Sequence, residues 1–159
     1  MHLQTFNGTL HQLYVFAALH ADFFFHQAIN EPMNENEISR IVVDAAINIH
    51  KALGPGLLES VYKRILAYEL RKAGLDVGTE VPVPVEWDGN VIDESFRADI
   101  IINGKVLLEL KSVETTQPVH RKQTLTYLKL TGLKLGLLIN FGSPLLKDDL
   151  HRLVNGLDD

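Results

Sequence analysis

Residues 97–111 most constrain the fold, because they place charged side chains inside two runs of branched aliphatic residues. Asp99 precedes three consecutive isoleucines, and Glu109 and Lys111 end the next aliphatic run, with Asn103-Gly104 between the two runs. An Asn-Gly pair between aliphatic runs is a strong hairpin signal. Charges buried in strands usually pair with one another or bind a metal ion, because an unpaired buried charge is unstable. We therefore expect an antiparallel strand pair that carries the chemistry of the protein.

The length of the hairpin loop decides which side chains share a face. A two-residue loop would mix charged and aliphatic residues on both faces, which is physically poor. A three-residue loop of residues 103–105 places Ile102 opposite Val106 and Asp99 opposite Glu109, and the faces separate. One predicted face is Phe96, Ala98, Ile100, Ile102, Val106, Leu108 and Leu110, and the other is Arg97, Asp99, Ile101, Leu107, Glu109 and Lys111.

The composition excludes several classes of function. The chain has 159 residues with 46% hydrophobic and 22% charged residues, which fits one soluble domain with a real core. It contains no cysteine, which excludes disulfides, thiolate zinc sites and cysteine nucleophiles and is compatible with the cytoplasm. A net charge of -5 gives no global attraction to a polyanion, so we expect any nucleic-acid contact to be local.

The first 32 residues differ from the rest of the chain. They contain no Lys or Arg, and their apolar stretch is interrupted before it reaches the length of a membrane span. We expect residues 1–32 to be an appendage, poorly ordered or upstream of the true start near Met33. Residues 33–159 are then the functional domain, and no membrane partner is expected.

The remaining pattern predicts a mixed α/β fold. Apolar residues recur with helical spacing from Asn34 and again from Leu58, and a third helix opens at Thr116 and Pro118 and stops at Gly132. Strands are predicted at residues 77–85, 91–102, 106–112 and 135–141, and a short closing helix at 148–154. Pro82 and Pro84 remove hydrogen-bond donors from one side of the first strand, which should therefore lie at a sheet edge.

Asp99 and Glu109 would form a cation site if they face each other. Facing residues in an antiparallel pair have Cβ atoms about 4.5 to 5.5 Å apart, close enough for two carboxylates to share one Mg²⁺ or Mn²⁺ ion. Lys111 lies two residues beyond Glu109 on the same face, within reach of a phosphate. These groups suit metal-assisted hydrolysis of a phosphodiester. The alternative is a surface of cross-strand ion pairs that includes Arg97.

The same residues resemble the PD-(D/E)XK nuclease superfamily, which carries an Asp followed by Glu-X-Lys. Within it, the segment Gly56-Leu57-Leu58-Glu59-Ser60-Val61-Tyr62 resembles the signature of the small GxxExxY proteins. Further matches lie at residues 123–128 and 136–142, and the resemblance covers residues 34–157. It implies a restriction-endonuclease-like core, and the sequence pattern itself predicts the order α-α-β-β-β-α-β with a short C-terminal helix.

The resemblance also implies roles for individual residues. Asp99, Glu109 and Glu59 would be metal ligands, and Lys111 would be the catalytic lysine. Glu59 and Gln123 would support catalysis. Beyond these implied roles, we expect Tyr62, Arg121, Lys122 and Tyr127 to bind the substrate.

Two functions from different classes follow from these observations. The first is a cytoplasmic, Mg²⁺- or Mn²⁺-dependent nuclease that acts on nucleic acid, with DNA favoured over RNA. The second is a non-catalytic nucleic-acid-binding or regulatory module that retains the nuclease fold. A homodimer is open in either case, since many nucleases cut two strands by pairing subunits.

Overall fold

The computed structural model describes residues 32–157, apart from the side chains of residues 93–95. The predictions about the N-terminal appendage, residues 1–32, concern a segment outside the described residues except for Pro32. Within the described part of the chain, no helix is long and apolar enough to cross a membrane.

Three α-helices lie within residues 32–157: α1 (Glu35–Leu53), α2 (Glu59–Lys72) and α3 (Pro118–Thr131). Asn34 and Glu37 begin α1 with a capping box, in which each side chain accepts a hydrogen bond from the other residue's backbone N–H. Gly132 ends α3 in the left-handed conformation, with φ of 69°. The predicted start of α1 at Asn34 and the predicted end of α3 at Gly132 are therefore confirmed.

In the described part of the chain, five strands form one sheet in the order β1-β2-β3-β4-β5: β1 (Val77–Trp87), β2 (Asn90–Ile102), β3 (Val106–Lys111), β4 (Leu135–Asn140) and β5 (Leu150–Val154). The pair β3 and β4 is parallel and is connected through α3, while the other neighbours are antiparallel. Strand β1 lies at the edge, as Pro82 and Pro84 predicted. This mixed, mostly antiparallel sheet with three helices is consistent with a restriction-endonuclease-like core, so the predicted fold class is confirmed.

The three-residue loop between β2 and β3 is also confirmed. Ile102 pairs with Val106, and Asn103 and Gly104 adopt positive φ angles of 51° and 61° in the turn between them. Asn and Gly are the residues that adopt this conformation most readily. Ladder pairing ends at Ile100 and Leu108, so the predicted carboxylates lie one residue beyond the last pair.

The predicted separation of the two faces of the β2–β3 hairpin is wrong for Ala98, the residue before Asp99. Ala98 and Leu107, which were assigned to opposite faces, belong to one buried cluster together with Tyr127 of α3. The β1–β2 ladder omits the pair formed by Glu80 and Asp99, and Glu80 has a φ of 52°. The ladder also has a register shift between Val83 and Val85, and the hydrophobic pattern alone reveals neither irregularity.

The predicted C-terminal helix at residues 148–154 is wrong. A single 3₁₀ turn, Leu146–Asp149, is followed by β5, which pairs antiparallel with β4. All six residues of β4 are buried, and without β5 its outer backbone groups would lack ladder partners. Pairing with β4 therefore outweighs the weak helical preference of residues 150–154.

Helices cover both faces of the sheet. Gly136 of β4 faces α3, since a Cβ atom there would lie 3.2 Å from Leu128. On the opposite side Phe141 stacks on Tyr62 of α2, with ring centroids 4.4 Å apart. Because β3 and β4 are parallel, their carboxyl ends meet at one edge of the sheet, where the polar residues lie.

Candidate active site

Glu109 is the most unusual side chain at this edge. It is only 3% exposed, and its Oε2 atom is buried with no hydrogen-bond partner among the described residues. The pKa of Glu109 is raised to about 6, because burial and the nearby charges of Asp99 and Glu59 together outweigh the lowering effect of Lys111. An unpaired buried carboxylate oxygen is costly, so this atom is a natural ligand position.

Lys111 is the direct partner of Glu109. Its Nζ donates a hydrogen bond of 2.7 Å to Glu109 Oε1, and the side chain is 15% exposed. Burial alone would lower the pKa of Lys111, but the hydrogen bond that Lys111 donates to Glu109 and the charges of Glu109, Glu59 and Asp99 outweigh it and raise the pKa. Lys111 is therefore a firmly protonated cation and not a base in this state.

Asp99 lies at the point where the β2–β3 ladder stops. Its Oδ2 atom accepts a 2.8 Å hydrogen bond from the backbone N–H of Leu110, in place of a ladder bond. Its Oδ1 atom accepts a 2.6 Å bond from Lys63 Nζ of α2. The side chain thus joins β2, β3 and α2, and it lies near enough to Glu109 to affect that group's titration.

Lys63 was missed by the sequence analysis. Besides Asp99 it bonds the carboxylate of Glu80 on β1, and these two partners raise its pKa although its own burial acts in the opposite direction. Lys63 follows Glu59 by four residues, so the two lie on one face of α2, and that spacing is a signal that could have identified it. No sequence pattern pointed to Glu80.

Glu59 begins α2 and is half-buried. Its charge raises the pKa values of both Glu109 and Lys111, which places it in the same electrostatic environment. The structure thus brings together the four predicted residues Glu59, Asp99, Glu109 and Lys111. With Lys63 and Glu80 the group has four carboxylates and two lysines, an excess of two negative charges that one divalent cation would balance.

The donor set suits an ion that keeps part of its water shell. Among the described residues, no three His, Asp or Glu side chains are arranged to hold an ion by themselves. Mg²⁺ is usually bound by one or two carboxylates, with waters and substrate phosphates completing the octahedron. Glu109 Oε2 and the neighbouring Asp99 match that requirement, whereas a complete protein cage of the kind that holds Ca²⁺ is not formed by the described residues.

Tyr62 does not have the position expected of a substrate-binding residue. It is fully buried, its Oη donates a 2.5 Å hydrogen bond to the carbonyl of Gly54, and it accepts a 3.3 Å bond from the N–H of Leu57. Its ring stacks on Phe141. The side chain therefore holds the loop that leads into Glu59, and the predicted direct contact with substrate is corrected to this supporting role.

Gln123 and Tyr127 form a pair on α3. Gln123 Nε2 donates a 2.8 Å hydrogen bond to Tyr127 Oη, and the Tyr127 ring contacts Phe96 at a centroid distance of 5.6 Å. Tyr127 is 4% exposed, which leaves little surface for a substrate. The structure joins these two predicted residues to each other, and no hydrogen bond among the described residues joins them to the carboxylates.

Arg121 and Lys122 are exposed on the same helix, and Arg121 belongs to a second polar cluster. Its Nη2 donates 2.8 Å to His151 Nδ1, and His151 Nε2 in turn donates 2.7 Å to Asp149. Asp149 also accepts from Thr116 and Asn140. An open cleft of about 550 Å³ lies beside this cluster.

The model of one protein family matches most of the described chain. The sequence profile of the PD-(D/E)XK nuclease superfamily matches residues 36–153. No curated protein matches the chain. A solved structure described as "Crystal structure of SSO0001" is 21% identical, with a TM-score of 0.40 over 84% of this chain and 74% of that chain.

Proposed function

Because the chain belongs to the PD-(D/E)XK nuclease superfamily, we propose that it is a metal-dependent nuclease that hydrolyses phosphodiester bonds in nucleic acid, with DNA favoured over RNA. The carrying observation is the buried, unpaired Oε2 of Glu109 beside Lys111 and Asp99. Within the superfamily we assign it to the GxxExxY group, an assignment supported by Gly56, Glu59 and Tyr62.

Asp99 and Glu109 are the residues that would hold Mg²⁺ or Mn²⁺, with Glu59 completing the negative environment. The ion, when bound, supplies a Lewis acid and lowers the pKa of bound water. Lys111 remains protonated beside Glu109, so its role is to position and stabilise a phosphate oxygen as charge develops. Gln123 would support the site from α3.

Local positive charge is available for the nucleic-acid backbone although the whole chain is acidic. A cleft of about 410 Å³ adjoins Lys63 and is lined by Arg64 and Arg71 of α2. Arg121 and Lys122 offer a second basic surface on α3. Backbone contacts of this kind position a nucleic acid without reading its sequence.

Nuclease assays on single-stranded, duplex and structured DNA and RNA test the proposal, with Mg²⁺ or Mn²⁺ and with chelator. We expect Asp99→Ala and Lys111→Ala each to reduce cleavage by more than about a hundredfold, because each removes charge stabilisation at the reacting phosphate. Asp44→Ala and Lys72→Ala are matched controls, since both residues are exposed and lie outside the site. Cleavage that survives Asp99→Ala and Lys111→Ala would contradict the assigned roles.

The second candidate is a non-catalytic module, and one observation favours it. Both oxygens of Asp99 already have protein partners, Lys63 and the N–H of Leu110, so the carboxylate is satisfied without an ion. A Mn²⁺ titration separates the candidates. Saturable binding that is lost in Asp99→Asn and Glu109→Gln supports the nuclease, and its absence together with retained DNA binding supports the module.

A further inference from the structure

Lys63 occupies one of the carboxylates that the proposed metal site needs. Its Nζ lies 2.6 Å from Asp99 Oδ1, and the side chain is only 15% exposed. We infer that Lys63 is a resident counter-cation of Asp99 that competes with the divalent ion for this carboxylate. This inference rests on the proposed function and names a residue that sets the affinity of the site for its ion.

The geometry leaves little room for both cations at Asp99. The second oxygen, Oδ2, already accepts the backbone N–H of Leu110, so Oδ1 is the oxygen that faces the Lys63 ammonium. A divalent ion bound at Oδ1 would lie within a few Å of that ammonium, where like charges repel strongly in a partly buried site. Lys63 must therefore withdraw from Asp99 when the ion binds there.

Glu80 gives Lys63 an alternative partner. The ammonium already bonds the Glu80 carboxylate, which is about half exposed, so release from Asp99 does not leave the lysine unpaired. Lys63 also lines the 410 Å³ cleft beside Arg64 and Arg71, where a phosphate of the substrate would give it a further partner. The lysine can thus leave Asp99 without losing all its charge compensation.

Lys111 does not compete in the same way. Its bond goes to Glu109 Oε1, while Glu109 Oε2 is unpaired and open to a ligand. The two lysines therefore have different effects on the carboxylates of the ion-free site. Lys111 leaves its carboxylate one free oxygen, and Lys63 covers the only oxygen of Asp99 that a backbone N–H does not already use.

Isothermal titration calorimetry with Mn²⁺ tests this competition in the absence of nucleic acid, because it measures the affinity of the site for the ion directly. We expect Lys63→Met to bind Mn²⁺ about tenfold more tightly than the wild type, which corresponds to roughly 1.4 kcal/mol. Lys63→Arg keeps a cation on Asp99 and should show no tightening. Lys72→Met removes the same charge from the exposed end of α2, so it controls for the overall charge of the protein and should leave the affinity unchanged.

An affinity that is unchanged or weaker in Lys63→Met overturns the inference, because Lys63 would then be a support for the metal site or a structural ion pair. Circular dichroism checks that Lys63→Met is folded, and Lys63→Gln is a second variant with the same expected tightening.

The Mn²⁺ titration and the nuclease assay can distinguish failure of the inference from failure of the proposed function. Tighter Mn²⁺ binding by Lys63→Met without cleavage of any nucleic acid would reject the proposed function and leave the inference standing. Cleavage by the wild type without tightening would reject the inference alone. An absence of Mn²⁺ binding in both proteins would reject both.

Discussion

At the residue scale, the two carboxylates on β2 and β3 are each paired with a lysine. Glu109 bonds Lys111 of its own strand and Asp99 bonds Lys63 of α2, so neither is a cross-strand ion pair of the kind that the alternative interpretation of the sequence expected. The unpaired Oε2 of Glu109 is what ion pairing leaves unexplained. A network built only for stability would rarely bury such an atom.

Tyr62→Phe tests the supporting role of the tyrosine. The substitution removes the hydroxyl that bonds Gly54 and Leu57 but keeps the ring that stacks on Phe141. We expect the free energy of unfolding to fall by about 1 to 2 kcal/mol, because two partly buried backbone groups lose a partner. Denaturant unfolding followed by circular dichroism measures this change.

The matched control is Tyr68→Phe on the same helix, where the side chain is 63% exposed. Its stability should equal that of the wild type. If Tyr62→Phe instead retained full stability but raised the KM for nucleic acid, the tyrosine would be a substrate contact after all.

At the scale of elements, the ends of β3 and β4 are held unusually close. Asn140 bonds both the N–H and the carbonyl of Val113, at 3.0 and 2.8 Å. A Cβ atom on Gly142 would lie 2.3 Å from the Val113 carbonyl oxygen, so only glycine permits this approach. The contact fixes the strand end that carries Lys111.

Gly142→Ala should therefore destabilise the protein by about 2 to 3 kcal/mol, because the new methyl group meets backbone that cannot move aside. Thermal unfolding measures the loss. Gly136→Ala is the control, since its Cβ would meet only the ends of the Leu128 and Thr124 side chains at 3.2 Å. Equal losses in the two variants would show that the close approach at Gly142 has no special importance.

At the scale of the whole molecule, Asp149 connects parts of the chain that are distant in sequence. Its buried carboxylate accepts hydrogen bonds from Thr116 before α3, Asn140 at the end of β4 and His151 on β5. Burial alone would raise the pKa of Asp149, but the hydrogen bonds from these groups lower it from 3.8 to about 2. The ionised carboxylate therefore stabilises the fold.

This lowered pKa predicts how stability depends on pH. The contribution of Asp149 is fully present above its unfolded pKa of 3.8 and is lost as the pH falls through about 2. Its size is about 2 kcal/mol, from roughly 1.4 kcal/mol per pKa unit. Asp149→Asn should be less stable than the wild type at pH 7, and the difference should shrink as the pH falls from about 4 to 2.

Denaturant unfolding of both proteins between pH 7 and pH 2.5 measures this difference. Asp148→Asn is the control, because Asp148 is the exposed neighbour of Asp149. A difference between Asp149→Asn and the wild type that stayed constant over the whole range would show that the carboxylate is not the titrating group.

The sequence by itself determined the local structure around the site. The Asn103-Gly104 turn and the aliphatic pattern fixed the three-residue loop, and helical periodicity with capping residues fixed the three helices. These signals act between residues close in the chain, where turn geometry and side-chain alternation decide the outcome. The charged positions Asp99, Glu109 and Lys111 were visible for the same reason.

Only the tertiary structure decided the partners of those charges. Lys63 reaches Asp99 because α2 packs against the sheet. Residues 150–154 form a strand because they pair with the backbone of β4. Packing against α3 joined Ala98 and Leu107 in one buried cluster, although the strand alternation predicted opposite faces for them. Such contacts depend on how whole elements pack against one another, and local propensity does not identify the partner residue on the other element.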